Sequence, residues 1–178
     1  MHRDVLFECP GERTQLEFVV DNLAVADLAN STTAVHNDNY RSAVSRIRRS
    51  IGRLYQSWGY KAEFLEPVDW RAREWNTGAD HLAGYGLTVR EDGGTLSEER
   101  VRSAARGSTA LQFFSDGGFV QGVGGAAGVQ LLAYYWEEGH LRRSMVGYMY
   151  IYKANATSSF EMELLELETA LHMAHKAT

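Results

Sequence analysis

Two short apolar runs in this chain each end on an aspartate. Residues 16–20 (LEFVV) lead into Asp21-Asn22, and residues 110–115 (ALQFFS) lead into Asp116-Gly117-Gly118. Short runs rich in Val, Leu and Phe read as buried strands. If the two strands lie side by side and parallel, Asp21 and Asp116 arrive at the same edge of one sheet. Carboxylates brought that close repel, and the repulsion is relieved by a raised pKa or by a bound cation. A single aspartate at a strand end is an ordinary turn residue. The repeated arrangement is what points to cation chemistry.

The elements that must position these groups follow from periodicity. After the strand at 16–20, residues 23–30 form a short helix and 31–39 a loop. Tyr40, Val44, Ile47, Ile51, Leu54 and Trp58 then recur at three- and four-residue steps, one apolar face of a helix stopped by Gly59. Residues 61–68 (KAEFLEPV) read as a strand near a sheet edge, where Pro67 is tolerated. Residues 70–75 are irregular, and 77–87 form a short helix ending around Gly84 to Gly86. Residues 88–108 are polar, carry Gly93-Gly94, and read as a linker with a helical turn or two near its end. Strands at 110–115, 128–136 and 143–152 follow, the last two joined by a hairpin turn. Ser158 or Ser159 caps a final helix whose Met162, Leu165, Leu167, Leu171 and Ala174 supply apolar sides. About five strands and three or four helices make one α/β domain.

A length of 178 residues fits that single domain, with residues 1–15 as an N-terminal extension. No apolar run approaches membrane-spanning length, and the first residues lack the basic-then-apolar order of a secretory signal. The single cysteine, Cys9, excludes an internal disulfide and a cysteine-based zinc site, and an intracellular setting is expected. The net charge of −5 discourages nucleic-acid binding on average, but the average hides a segregation. Residues 39–62 hold no acid while Arg41, Arg46, Arg48, Arg49, Arg53 and Lys61 fall inside, and acids gather at Glu161, Glu163, Glu166 and Glu168. The first segment suits phosphates and the second suits cations. Residues 122–127 (GVGGAA) satisfy a loose dinucleotide fingerprint, but a strand follows where that fingerprint needs a helix.

The segments together resemble a ribonuclease H domain. FFSDGGFVQGVGGAAGVQLL, a hairpin and SSFEMELLELETAL look like its first half, with the first-strand Asp in a DG pair and the first-helix Glu in M-E-L. LEFVVDNLAVADL looks like the fourth strand, and VDWRAREWNTGADHLAG like the approach to the last helix, with its N-x-x-A-D-x-L-A pattern typical of retroelement and plant-type members. The order is rewired: the usual fourth strand comes first and the usual first helix last. That is a circular permutation, with residues 16–87 as the usual second half, 88–108 as the new link and 109–178 as the usual first half. Permutation is tolerated where termini lie close together at the surface.

The resemblance implies a ribonuclease H-like fold, a five-stranded mixed sheet flanked by helices. It assigns Asp116, Glu163, Asp21 and Asp80 as metal-holding catalytic carboxylates, with Asp116 bridging two Mg²⁺ or Mn²⁺ ions. It implies cleavage of the RNA strand of RNA–DNA hybrids, the 2′-hydroxyl being the discriminator. Gly117, Gly118, Ser158, Ser159 and Asn76 would face substrate. Arg46, Arg49 and Arg53, on one stripe of the basic helix, would meet phosphates. The loop before the last helix carries no histidine, which implies slow product release. A silent nucleic-acid-binding domain and a resolvase- or transposase-type DNA nuclease are the alternatives. A place within a reverse-transcriptase polyprotein and the oligomeric state stay open.

Overall fold

A computed structural model describes residues 14–58 and 67–176. The longest strands pair through most of their length: β4 (Ala110–Val120), β5 (Gly124–Glu137) and β6 (His140–Lys153) form an antiparallel meander. β1 (Gln15–Val20) lies beside β4 and parallel to it, with Phe18 opposite Phe113 and Val19 opposite Phe114. β2 (Val68–Trp70) extends the parallel part beyond β1, and a two-residue β3 (Gly93–Gly94) closes the far edge against β6. The result is a six-stranded mixed sheet in the order β2-β1-β4-β5-β6-β3.

Alternation along the strands divides the apolar residues between two faces. Phe18, Val20, Leu111, Phe113, Val129 and Leu131 point to the main core. There α1 (Leu23–Asn30), α2 (Asp38–Trp58), α4 (Glu98–Gly107) and α5 (Ser159–His175) supply Val25, Ile47, Val101 and Leu167. Val19 and Phe114 point the other way, against Ala79 of α3 (Thr77–Val89). The arrangement is α/β, a sheet with helices on both faces.

Several boundaries differ from the sequence reading. β4 does not stop at Asp116, because Asp116, Gly117 and Gly118 go on pairing with Gly128, Ala127 and Ala126. The glycine-rich stretch is therefore mostly strand, with its turn confined to the residues around Gly122 (φ 78°). α3 runs past Gly84 and Gly86 and ends where Arg90 turns left-handed (φ 58°), its N–H donating to the Gly86 carbonyl at 2.8 Å. Residues 88–108 are not a plain linker: Ser97 caps α4, whose Val101 is wholly buried. Nor were five strands enough. Two glycines carry no side-chain pattern, and β3 exists only through its backbone pairing with Met149 and Tyr150. Thr14 and Gln15 belong to the fold and not to an extension. The Thr14 hydroxyl donates to carbonyls of Ala105 (2.6 Å) and Ser108 (2.7 Å), and Gln15 pairs with Ala110. Trp70 is strand. The helix stop at Gly59, the strand across residues 61–66, the packing of Trp58 and the role of residues 1–13 lie outside the described residues.

Candidate metal centre

β1 and β4 are parallel neighbours, so the chain leaves both at the same sheet edge. That register delivers Asp21, one residue beyond β1, to Asp116 within the second half of β4. α5 packs across β4 and brings Glu163. The close approach depends on Gly117, where a β-carbon would lie 2.6 Å from the Glu163 nitrogen. Asp21, Asp116 and Glu163 each turn a carboxylate oxygen to one point, all within 4.8 Å of one another, and together can hold a metal ion. Asp116 is 3% exposed, and one Glu163 oxygen is buried with no hydrogen-bond partner. An orphaned carboxylate oxygen inside a ring of acids is what a hard cation would satisfy.

The electrostatics say the same. Burial first, then Asp21 and the neighbouring Asp80 and Glu163, push the Asp116 carboxyl up to about 8. Burial and Asp21 push Glu163 up to about 7, opposed by a hydrogen bond from the Asn22 side chain and by Arg73. Without a cation, Asp116 and Glu163 are both held well above the usual carboxylate range.

Asp80, from the first turn of α3, shares a hydrogen bond with Asp116. Since Asp80 is held below the usual carboxylate range by its Arg73 partner, Asp116 is the donor. The four carboxylates expected from the resemblance thus meet at one place, three around a common point and the fourth against Asp116.

The remaining expected residues divide. Gly117 faces α5, and Gly118 faces Leu87 and Ala83 of α3. Ser158 is the cap of α5, its Oγ accepting from the Glu161 N–H at 3.1 Å and meeting the Tyr40 hydroxyl at 3.1 Å. Ser159 is exposed. Asn76, expected at the substrate surface, is instead wholly buried. Its Nδ2 donates to the Ser115 carbonyl at 2.7 Å, tying the start of α3 to the Asp116 strand. On α2, Arg46 is engaged by Glu168, whereas Arg49 and Arg53 are exposed, and Arg49 donates to the Ser45 carbonyl of its own helix. Of the rival glutamates, Glu161 pairs with Lys153 and accepts from Thr157, so only Glu163 joins the cluster directly. His175 is half-buried against α2, and His172 is exposed.

Three residues at the site, Asn22, Arg73 and Trp70, were not picked out from the sequence, and Glu166 was noted only among the acids of the last helix. Asn22 braces Glu163, and Arg73 pairs with Asp80 and stands near Asp116 and Asp21. Trp70 donates its indole N–H to the Asp21 carbonyl at 2.9 Å. Glu166 is wholly buried, accepts from the Ser115 hydroxyl at 3.3 Å, and keeps its second oxygen unpartnered. Glu163, Asp116 and Asp21 add to its burial to raise its pKa well above the ordinary value. A signal for Glu166 existed: it lies one turn after Glu163 and so on the same side of α5. Among the described residues no helix is long and apolar enough to cross a membrane. The chain matches no family model, no curated protein and no solved structure.

Proposed function

We propose that this chain is a metal-dependent endonuclease of the ribonuclease H type, circularly permuted, which cuts the RNA strand of RNA–DNA hybrids. The observation that carries the reading is the convergence of Asp21, Asp80, Asp116 and Glu163 from β1, α3, β4 and α5. Chain order separates these residues widely, and the parallel pairing of β1 with β4 reunites them. The strand that corresponds to the family's fourth lies directly beside the one that corresponds to its first, as a rewired chain with the same fold requires.

Asp116 is hydrogen-bonded to Asp80 and belongs to the trio with Asp21 and Glu163, so it is the residue that two cations would share. Carboxylates without sulfur or imidazole donors suit Mg²⁺ or Mn²⁺. Bound there, such ions would activate water and stabilise charge on the leaving 3′ oxygen. The chain's own residues do the rest. Asn22 fixes the rotamer of Glu163, Asn76 anchors α3 so that Asp80 stays beside Asp116, and Gly117 keeps α5 close. Arg73 holds Asp80 ionised and must release it, or lean aside, for a second cation. Arg49 and Arg53 on α2 are open to phosphates of the hybrid. The Arg73–Asp80 pair also favours a second reading, a silent hybrid-binding domain in which a guanidinium replaces one cation.

Incubation of an end-labelled RNA–DNA hybrid with Mg²⁺ separates the two. The nuclease reading expects RNA-strand cleavage that falls more than about a hundredfold in Asp116→Asn. Hybrid binding without cleavage or metal uptake would leave the silent domain. Cutting of branched or duplex DNA alone would point to a DNA nuclease.

A further inference from the structure

We infer that Trp70 and Trp75 form a stacking platform for a nucleobase of the strand lying across the acidic cluster. The inference rests on the nucleic-acid reading above and concerns indole surface that the fold leaves uncovered. Tryptophan is among the most buried residue types on average, yet Trp70 is 46% exposed and Trp75 is 67% exposed. Neither stacks on another ring among the described residues, where the ring pairs are Phe18–Phe113, Tyr40–Phe160 and Tyr85–Tyr150.

The Trp70 indole and the Trp75 backbone are each held in place. The Trp70 N–H is spent on the Asp21 carbonyl at 2.9 Å, which pins the ring edge to a member of the metal centre and leaves its face for a ligand. Trp75 closes a 3-10 turn (Arg73–Trp75), its backbone N–H donating to the Ala72 carbonyl at 2.9 Å. The next residue, Asn76, is wholly buried and bonded to the Asp116 strand. Trp75 is therefore held outward by an anchored turn and is not a loose loop tip. Between the two stands Arg73, paired with Asp80.

Trp70, bonded to Asp21, and Arg73, paired with Asp80, thus border the carboxylates that would hold the cations, and Trp75 ends the same short turn as Arg73. A phosphodiester seated on those cations must place its neighbouring nucleotides beside this segment. Every base presents a π-face, so stacking there would add affinity without demanding a sequence. An apolar occupant alone would not account for the position of the indoles at the rim of a charged site.

The test uses a fluorescein-labelled RNA–DNA hybrid with Ca²⁺ in place of Mg²⁺, so that the RNA stays intact. The same hybrid carries one abasic nucleotide moved stepwise along the RNA strand. Trp75→Ala should weaken binding by about tenfold to about a hundredfold, and Trp70→Phe by much less. At one register the abasic substitution should cost a similar factor, and combining it with Trp75→Ala should cost little more. A purely structural loss would not depend on that register. Unchanged affinity in Trp75→Ala, or losses that multiply at every register, would overturn the platform. So would a self-association of the wild type that Trp75→Ala abolishes while its hybrid affinity is kept. Cleavage with Mg²⁺, run in parallel, separates the two claims. Tight binding and full cleavage by Trp75→Ala overturn the platform alone, whereas a wild type that neither binds nor cuts the hybrid overturns both.

Discussion

β1 carries one acid near its start and delivers another just past its end, and the two are treated in opposite ways. Glu17 is 8% exposed, and its charge is answered inside the protein. Arg71 donates to one oxygen at 3.1 Å and Gln112 to the other, while Gln112 in turn accepts from the Tyr134 hydroxyl at 2.7 Å. Burial raises the Glu17 pKa, and Arg71 and Gln112 pull it back. At the other end, Asp116 meets Asp21, Glu163 and Asp80, with Glu166 behind them, and the neighbouring guanidinium of Arg73 is committed to Asp80. One end of the sheet is a finished ion pair and the other accumulates negative charge. A fold gains nothing from that accumulation by itself, which makes the cluster a candidate cation site.

The largest expected effect tests that contrast by sign. Glu17→Ala leaves Arg71 partly buried without its main partner and should destabilise the protein by about 2 kcal/mol. That would lower Tm by about 4–8 °C for a domain of this size. Asp116→Asn, measured at pH 9 in chelator, removes a repelled charge of similar shape and should raise stability by about 1 kcal/mol. Chemical denaturation of both variants checks this. Equal destabilisation by the two would mean that the acidic cluster is merely another structural pair.

How much of this was legible follows from the same two regions. Asp21 and Asp116 announced themselves because each ends an apolar run, and strand pairing is written in such runs. Glu163 and Asp80 needed the family resemblance, since a Glu on a helix with four of them, or an Asp near a helix start, has no local mark. Glu17 and Gln112 were invisible because they sit inside runs that otherwise read as core, and only the register of β1 against β4 makes them neighbours. Arg73 and the two tryptophans fell in residues 70–75, where no periodicity exists to assign a face. The missing strand β3 is two glycines, which carry no pattern at all. Gly84 and Gly86 were read as stops, but α3 continues because Gly86 packs against Ala126 and Tyr150 instead of ending the helix.

A metal-dependent pH profile sharpens the comparison further. Asp116 rises from 3.8 to about 8 and Glu163 from 4.5 to about 7 in the absence of a cation. A folded-state pKa above the unfolded one means that the folded state binds the proton more tightly. The stability these groups contribute is therefore complete below about pH 4 and is lost as pH rises through about 7 to 8. In chelator, Tm should fall across that window. With Mg²⁺ at about ten times its Kd, Tm at pH 8 should recover by the equivalent of about 1.4 kcal/mol, and by less at pH 5, where protons compete. Glu166→Gln keeps an acceptor for Ser115 and removes one buried proton site, so it should flatten the chelator profile. A profile without slope, or metal stabilisation equal at both values, would contradict the cluster's role.

The smallest expected effect concerns α2. Arg46 is engaged by Glu168, so its removal should cost hybrid affinity little, whereas Arg49 and Arg53 have no acidic partner among the described residues. Removing one arginine from a phosphate should reduce the slope of log K against log salt by about 1. The double variant Arg49→Ala/Arg53→Ala should therefore bind hybrid more weakly at low salt and converge on the wild type as salt rises. It should leave the Mg²⁺-dependent rise in Tm untouched, because α2 contributes nothing to the carboxylate cluster. Binding curves at several salt concentrations, with Arg46→Ala as the control, decide it. If Arg46→Ala changed the slope as much as the double variant, the ion pair with Glu168 would be one that a phosphate readily displaces. The whole stripe, and not its free half, would then be the basic surface facing the hybrid.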